Sequence, residues 1–416
     1  MMTRTLHVYL YGERIGLLSE DEQGHLHFTY RGAPYPLSVR MPICESEYGS
    51  SYAEPFFGNL TPEGNVLSSL EQKYRISGDN TFSVLKLIGG ECAGAVALYP
   101  EELAQPVNEA RQELRAQDIA AIIEALPTNP LLTGLKSAPR LSLAGAQSKF
   151  AVCKTADGRY YRSDDANPTT HIIKVSNKND EGLLENEYFC MSLARAFFAD
   201  SVEVNMREAE GWKYMEIQRY DRRVSGGRVE RIHQEDMCQV LGCLSIKKYQ
   251  SDGGPSIRKM YEAIQRYSSR RLADGFKFLQ MLIFNYLIGN TDTHAKNFSF
   301  IHTNRSNSVV LSPAYDLVSI DIYPEKLVSH EMALVVNGKA RYRALRRKDW
   351  LALFEQLGMN PISLMKEMEK SFARIAEKAE QLAERLNADA LTASDIYPRI
   401  IENIRVRREV IFGGGA

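Results

Sequence analysis

The chain has 416 residues, 44% hydrophobic and 25% charged, which is enough to bury a large core and excludes both a staple-dependent module and a disordered polyelectrolyte. Its 51 basic and 52 acidic side chains leave a formal net charge of -1, so no global field draws the whole protein to nucleic acid or anionic lipid. The cysteines Cys44, Cys92, Cys153, Cys190, Cys238 and Cys243 lack zinc-like spacing and read as reduced thiols of a cytoplasmic protein. The most apolar stretch, 278–288, is too short to span a bilayer, and no apolar secretory leader opens the chain.

Leu6, Val8 and Leu10 alternate with polar neighbours, Gly12-Glu13 offers a turn and 15–18 resumes, which predicts an opening hairpin; 25–30 continues the strand character. From Phe56 to about Ala97 the apolar spacing turns helical, so the first hundred residues read as a compact α+β domain. Residues 102–128 predict an amphipathic helix ended by Pro127, with a boundary somewhere in 98–135. Strands at 150–153, 160–161 and 171–175 make a small antiparallel sheet, followed by a helix over 186–198 and strands near 201–206 and 213–220. From Gln234 onward the pattern is mainly helical, down to one long helix over about 361–387 in which Leu364, Met368, Phe372, Ile375, Ala379 and Leu382 recur. Core packing is the ordinary meaning of that stripe, and a partner surface is the other.

The chemistry concentrates in Gly289-Asn290-Thr291-Asp292-Thr293-His294-Ala295-Lys296-Asn297, a polar loop mounted directly on the apolar helix that ends at Ile288. Asp292 and Asn297 stand in the D-x-x-x-x-N spacing of protein-kinase catalytic loops, where the carboxylate orients the acceptor hydroxyl and the amide oxygen holds Mg²⁺. After a hairpin predicted around 304–306 comes Asp316, expected at a strand end, where its carboxylate suits the same hard cation. An Asp and an Asn on a loop are otherwise turn formers.

Lys174 ends the strand His171-Ile172-Ile173-Lys174, and Glu187 lies on the next helix, the lysine–glutamate arrangement that positions nucleotide phosphates in kinases; a solvated strand end is the plain alternative. Leu141-Ser142-Leu143-Ala144-Gly145-Ala146-Gln147-Ser148-Lys149 is either a phosphate loop of open backbone N–H groups, with Lys149 adding charge, or a tight turn. There is no Walker A and no G-x-G-x-x-G pattern. The strand from Tyr214 through Tyr220 serves as an adenine hinge, with Tyr220 against the ring, or as an edge strand with a charged end at 219–223. His294 and Lys296 are placed for phosphate, with a surface position for Lys296 as the other reading.

At these motifs the sequence resembles the HipA family of serine/threonine kinases, the toxin half of bacterial HipBA modules. The resemblance runs over nearly the whole chain, through 56–64, 142–147, 169–174, 186–188, 234–239, Tyr249-Gln250-Ser251-Asp252-Gly253-Gly254-Pro255, 291–298 and Tyr315-Asp316. It implies an α+β, two-lobe protein-kinase-like fold of the phosphatidylinositol-kinase-like group with a fused N-terminal domain. The implied division is 1–100 for the N-terminal α+β domain, 101–221 for the first lobe with its connecting helix and phosphate loop, and 222–416 for the helical lobe with the catalytic loop.

It further implies ATP and Mg²⁺ as cofactors, Asp292 as catalytic aspartate, Asn297 and Asp316 as metal ligands, and Lys174 on the phosphates. Gln218 and Tyr220 fall at the adenine hinge, Gln218 standing where familiar members carry Glu. The loop serine matching Ser142 is autophosphorylated in the family, and Ser148 offers a second hydroxyl. A small HipB-like helix-turn-helix antitoxin, operator DNA held mainly through it, and an aminoacyl-tRNA synthetase substrate, the glutamyl enzyme foremost, complete the implied setting of growth arrest and persistence. Two other readings stand beside it: a non-catalytic co-repressor of its own operon, and a small-molecule kinase.

Overall fold

A computed structural model describes residues 4–78, 80–100, 112–127, 129, 148–163, 167–176, 182–303, 305 and 308–413. The chain forms two compact units: residues 1–177, 207–245 and 299–310, and residues 178–206, 246–298 and 311–416.

In the first unit, β1 (Arg4–Leu10), β2 (Glu13–Glu20), β3 (Leu26–Tyr30) and β4 (Val96–Tyr99) form an antiparallel sheet in the order β3-β2-β1-β4. Strict alternation puts Leu6, Val8 and Leu10 on the buried face, where with Phe28 they meet Phe56 and Phe57 of α1 (Ser50–Gly58). Helices α2 (Gly64–Tyr74) and α3 (Thr81–Ile88) complete this part.

A second sheet has the order β5-β7-β6-β8-β10-β9: β5 (Glu113–Leu114), β6 (Lys149–Lys154), β7 (Tyr160–Tyr161), β8 (His171–Lys174), β9 (Val204–Ala209) and β10 (Trp212–Gln218). It buries Phe150, Val152 and Ile173 against Ile119, Ile122 and Ile123 of α4 (Ala116–Ala125). The helix expected over 102–128 is thus confined to these ten residues within its described part, because Glu113 and Leu114 pair with β7 and Asp118 closes a box on the backbone of Arg115. The hairpin β11 (Arg222–Ser225) and β12 (Arg228–Arg231), the sheet of β13 (Gln234–Asp236), β14 (Ser299–His302) and β15 (Val309–Leu311), and the short α6 (Met237–Leu241) follow.

The charged end expected at 219–223 is no surface fringe. Arg219, Asp221 and Arg222 are all buried, together with Glu91 from the turn before β4. Arg222 Nη2 meets Glu91 Oε1 at 2.8 Å, and Arg219 meets Asp221 through Nε at 2.9 Å and Nη2 at 2.7 Å. Asp221 Oδ2 also accepts the Gly94 N–H at 2.8 Å, and Thr169 donates its hydroxyl to Glu91 at 2.7 Å. Charges this deep persist only when paired and hydrogen-bonded throughout. Burial alone would raise both carboxyl pKa values, but the surrounding arginines hold Glu91 and Asp221 below the usual carboxylate range.

The second unit is mostly helical: α5 (Leu183–Ala194), α7 (Ile257–Tyr267), α8 (Arg271–Ile288), α9 (Arg347–Gln356), α10 (Pro361–Ser371), α11 (Ile375–Asn387) and α12 (Tyr397–Phe412), with the hairpin β16 (Glu331–Val336) and β17 (Lys339–Arg341). No helix of the described residues is long and apolar enough to cross a membrane. The single helix expected over 361–387 is two helices. Its apolar stripe runs on unbroken, but Phe372 leaves helical geometry at φ -108° and ψ 17° to pack with Phe197 and Phe284, and no Pro or Gly marks the break. The helical expectation after Gln234 likewise missed β13, β16 and β17, strands of only three to six residues, whereas β14 and β15 flank the hairpin expected around 304–306.

Helix α8 is buried on every side over its last turns, which is why its sequence loses amphipathic contrast there. It ends in a Schellman motif: Gly289 N–H bonds Tyr286 O at 3.2 Å and Asn290 N–H bonds Asn285 O at 2.9 Å, with Gly289 at φ +82°. The Gly289 carbonyl then accepts the N–H of Ile320 at 2.9 Å and of Asp321 at 3.2 Å. Asp321 is ion-paired to Arg407 of α12 and accepts from Asn403 at 3.2 Å.

Two stability outcomes follow from these junctions. Asp221→Ala strands two buried arginines and should lower urea-unfolding stability by about 3–5 kcal/mol. Because its folded pKa is depressed, the contribution is whole above the unfolded value near ~4 and fades as pH falls below it, so wild type and variant should converge in acid. Gly289→Ala demands a left-handed alanine whose Cβ would collide with the Asp321 carboxylate, and should cost at least about 1 kcal/mol, read as a lowered thermal midpoint.

Candidate active site

The loop that leaves α8 is organised around Asn290, which is 2% exposed. Its Nδ2 donates to Asn285 Oδ1 at 2.8 Å and to the Asp316 carbonyl at 3.3 Å, while its Oδ1 accepts the Asp292 N–H at 3.2 Å. Its carbonyl accepts Thr293 Oγ1 at 3.1 Å and the Tyr342 hydroxyl. One buried side chain therefore ties the helix end, the loop and the Asp316 segment. Thr291 adds a second anchor, donating its hydroxyl to Ser329 O at 3.0 Å and accepting Ala333 N–H of β16 at 2.8 Å.

Asp292 projects from this scaffold and is exposed, whereas His294, Lys296 and Asn297 are buried. A surface position for Lys296 is thereby excluded: it is 8% exposed, and its carbonyl accepts the Tyr315 hydroxyl at 2.6 Å. Ala295–Asn297 forms a 3-10 turn, and Asn297 Oδ1 accepts the His294 N–H at 3.0 Å.

Asp316 was expected at a strand end but lies five residues beyond β15 in irregular chain, with φ +58°. A left-handed aspartate persists because its neighbours over-determine it. Asn290 holds its carbonyl, and three residues on Asn186 of α5 clamps Ser319, accepting its N–H at 2.8 Å and donating to its carbonyl at 2.9 Å. The carboxylate is thereby delivered to Asn297, whose Nδ2 lies 3.0 Å from Asp316 Oδ2.

That separation is a hydrogen bond from the amide nitrogen and not an approach of two oxygens. Adjacent ligands of an octahedral Mg²⁺ at roughly 2.1 Å stand about 3 Å apart, and a hard ion takes carboxylate and amide oxygens. Asn297 Oδ1 faces the His294 N–H instead, so both oxygens would reach one ion only after the amide turns over and gives up that bond.

In the first unit, Lys174 is 8% exposed at the end of β8 and pairs across the sheet with Lys149 on one side and Met215 on the other. Two lysines thus stand directly opposite each other at one end of the sheet. Gln218 is the exposed last residue of β10, and the half-buried Tyr220 turns its hydroxyl to Gln234. Between them and Lys174 on the strand, Glu216 accepts Lys154 Nζ at 2.8 Å and the Tyr160 hydroxyl; burial would raise its carboxyl, but these bonds hold it below the usual range. Ser142, Ala144, Gly145, Ala146 and Gln147 lie outside the described residues; Ser148 is half-buried, and its carbonyl accepts Val175 N–H at 3.2 Å. Glu187 is 2% exposed on α5.

Sequence reasoning gave no role to Asn290, Asn186, Tyr249 or Tyr342. An Asn directly after a helix-ending Gly is a signal for the first, since amides there bond local backbone. Tyr342 carries no sequence signal, because its partner Asn290 lies 52 positions away.

Comparison with known proteins agrees with this architecture. Residues 141–388 match the family model described as the HipA-like C-terminal domain, and residues 6–99 match the HipA N-terminal domain. A putative kinase, Y4mE, of Sinorhizobium fredii is 34% identical, the match spanning 95% of this chain and 94% of that one. The serine/threonine-protein kinase toxin HipA of Shewanella oneidensis is 29% identical over 90% of this chain and 88% of its own. A solved complex of Shewanella oneidensis HipA, HipB and operator DNA superposes with a TM-score of 0.85 at 26% identity, covering 98% of this chain and 97% of that one. The fold is accordingly the α+β, two-lobe kinase-like fold with a fused N-terminal domain, and the chain belongs to the HipA family.

Proposed function

We propose that this protein is an ATP- and Mg²⁺-dependent serine/threonine-protein kinase that acts as the toxin of a toxin–antitoxin module. The observation that carries the reading is the approach of Asn297 to Asp316 at 3.0 Å, on a loop whose Asp292 faces solvent. An amide and a carboxylate in direct hydrogen bond, beside an exposed carboxylate on a loop anchored by buried side chains, gather on one mount the residue types that phosphoryl transfer asks of a protein.

The residues take these roles. Asp292 accepts the proton of the acceptor hydroxyl and orients its oxygen toward the γ-phosphorus. Asn297 and Asp316 are the residues that would hold Mg²⁺, which would supply charge neutralisation at the nucleotide phosphates. Lys174 binds the nucleotide phosphates, His294 adds a further contact to them, and the backbone of Ala144 to Gln147 cradles them. Gln218 and Tyr220 receive the adenine. We assign residues 1–100 to the N-terminal domain, 101–221 to the nucleotide-binding lobe and 222–416 to the catalytic lobe.

The partner is a HipB-like antitoxin that carries the complex to operator DNA, by analogy with the Shewanella oneidensis HipA, which was solved together with HipB and its operator. A net charge of -1 suits a chain that leaves most DNA contact to its partner. The substrate is a translation component, with an aminoacyl-tRNA synthetase, the glutamyl enzyme foremost, as the candidate, and the setting is the cytoplasm.

Incubating the purified chain with γ-labelled ATP and cell lysate should place label in protein rather than in small molecules. Asp292→Asn should lower that transfer about 10²–10⁴-fold, and Asp316→Asn should lower it comparably while raising the Mg²⁺ concentration needed for half-maximal rate. Transfer that survives both substitutions would sink the enzymatic reading. Autophosphorylation at Ser142 should appear as one phosphate on that residue by peptide mass spectrometry. Ser142→Ala should then keep its activity through prolonged incubation with ATP, unless Ser148 takes the phosphate in its place.

A further inference from the structure

The hydroxyl of Tyr249 lies 2.8 Å from Asp292 Oδ1. Asp292 is exposed, so an acceptor hydroxyl can approach its carboxylate from solvent. We propose that Tyr249 is a positioning residue for phosphoryl transfer: its phenol holds Oδ1 and so fixes the orientation in which the carboxylate meets the incoming acceptor hydroxyl. The proposal rests on the kinase reading above and deepens it.

The tyrosine is built into place from several directions. Its ring meets the His294 ring edge-on at 5.3 Å between centroids, and Lys248 Nζ sits 5.4 Å from its face. Its carbonyl accepts the N–H groups of Asp252 at 3.1 Å and Gly254 at 3.0 Å, closing a tight turn in which Gly253 has φ +85°. A Cβ at Gly254 would collide with the carbonyls of Lys247 and Tyr249, so only glycine lets the chain double back this closely. Gln250 then accepts Val335 N–H of β16 at 2.9 Å, fastening the turn to the hairpin that also holds Thr291. The same supports therefore carry both the carboxylate and the phenol that aims it.

The chemical need is plain. A carboxylate on an exposed loop rotates about its last torsion, and each rotamer presents different lone pairs to the acceptor. A donated O–H on one oxygen removes that freedom without neutralising the charge. At transfer the acceptor oxygen bonds to the γ-phosphorus as the bond from that phosphorus to the β,γ-bridging oxygen breaks, its electron pair leaving on ADP. The acceptor proton goes to the Asp292 carboxylate, and the phenol keeps its own proton throughout.

The test uses the full chain with γ-labelled ATP and, as acceptor probe, both casein and a peptide matching residues 141–149. Tyr249→Phe keeps the ring and removes only the donor, so kcat should fall about 10–100-fold while KM for ATP and for the acceptor stays within about twofold, the hydrogen bond to a charged group setting that scale. Gly254→Ala keeps the hydroxyl but displaces it, and should reproduce the kcat loss; the double variant should be no worse than the poorer single one. An unchanged kcat in both single variants, or a change confined to KM, overturns the proposal while leaving the kinase reading intact when Asp292→Asn still abolishes transfer. Absence of transfer by wild type, or transfer indifferent to Asp292→Asn, overturns both.

Discussion

The junction where α8 stops is the constraint on which the catalytic region depends. Gly289 takes a left-handed conformation, the helix closes, and Asn290 then spends its amide on Asn285, on the Asp316 carbonyl and on the Asp292 N–H. A buried amide has few bonds to offer, and here they go to three different stretches of chain. Residues 289 to 297 and 316 to 321 are separate in sequence but are fixed to one point, so the position of one carboxylate determines that of the other. Arg407 and Asn403 reinforce this from α12 by holding Asp321, whose backbone N–H in turn bonds Gly289. Positioning of this kind is worth more to transfer chemistry than any single added contact, because small misplacements of reacting groups are costly.

The first unit is secured by different means. Its two larger sheets each have an apolar face, but the turn before β4, Thr169 before β8 and the chain beyond β10 meet through Glu91, Arg219, Asp221 and Arg222. A hydrophobic contact of similar volume would hold these segments as firmly, since buried ion pairs seldom add net stability over apolar packing. What the charges add is discrimination: Arg222 Nη1 and Arg231 Nε bond the Gly94 carbonyl at 2.9 and 3.1 Å, and a register slip would leave buried charges without partners. Ser38 and His302, both on Glu235 at 2.6 and 2.8 Å, repeat the device at β13 and β14.

Periodicity carried much of this in the primary structure, but it carried only what is local. The opening hairpin, the strands of the second sheet and the burial of α8 follow from alternation and apolar density. The spacing of Asp292 and Asn297 is local to one loop and so legible in the sequence, and Asp316, singled out for its carboxylate, does lie against Asn297 at 3.0 Å. What escaped was set by tertiary contact. The break between α10 and α11 has no breaker residue and arises because Phe372 is drawn into an aromatic cluster. The burial of Arg219 and Arg222 contradicts their composition; Asp221 beside them explains part of it, and Glu91, 128 and 131 positions away, the rest. The left-handed Asp316 could not be foreseen, since aspartate adopts that geometry only where other groups insist on it.

Charge shows the same division between global and local. A net charge of -1 predicts no attraction for a polyanion, yet β6 and β8 set Lys149 and Lys174 directly opposite each other. Like charges in register repel, so keeping both at one sheet end costs the fold unless groups of opposite sign offset it. In the second unit Asp316 Oδ2 accepts a neutral donor, the Asn297 amide, at 3.0 Å, which orients a carboxylate without bringing an opposite charge. A net charge near zero therefore does not say where charge of either sign is gathered within each unit.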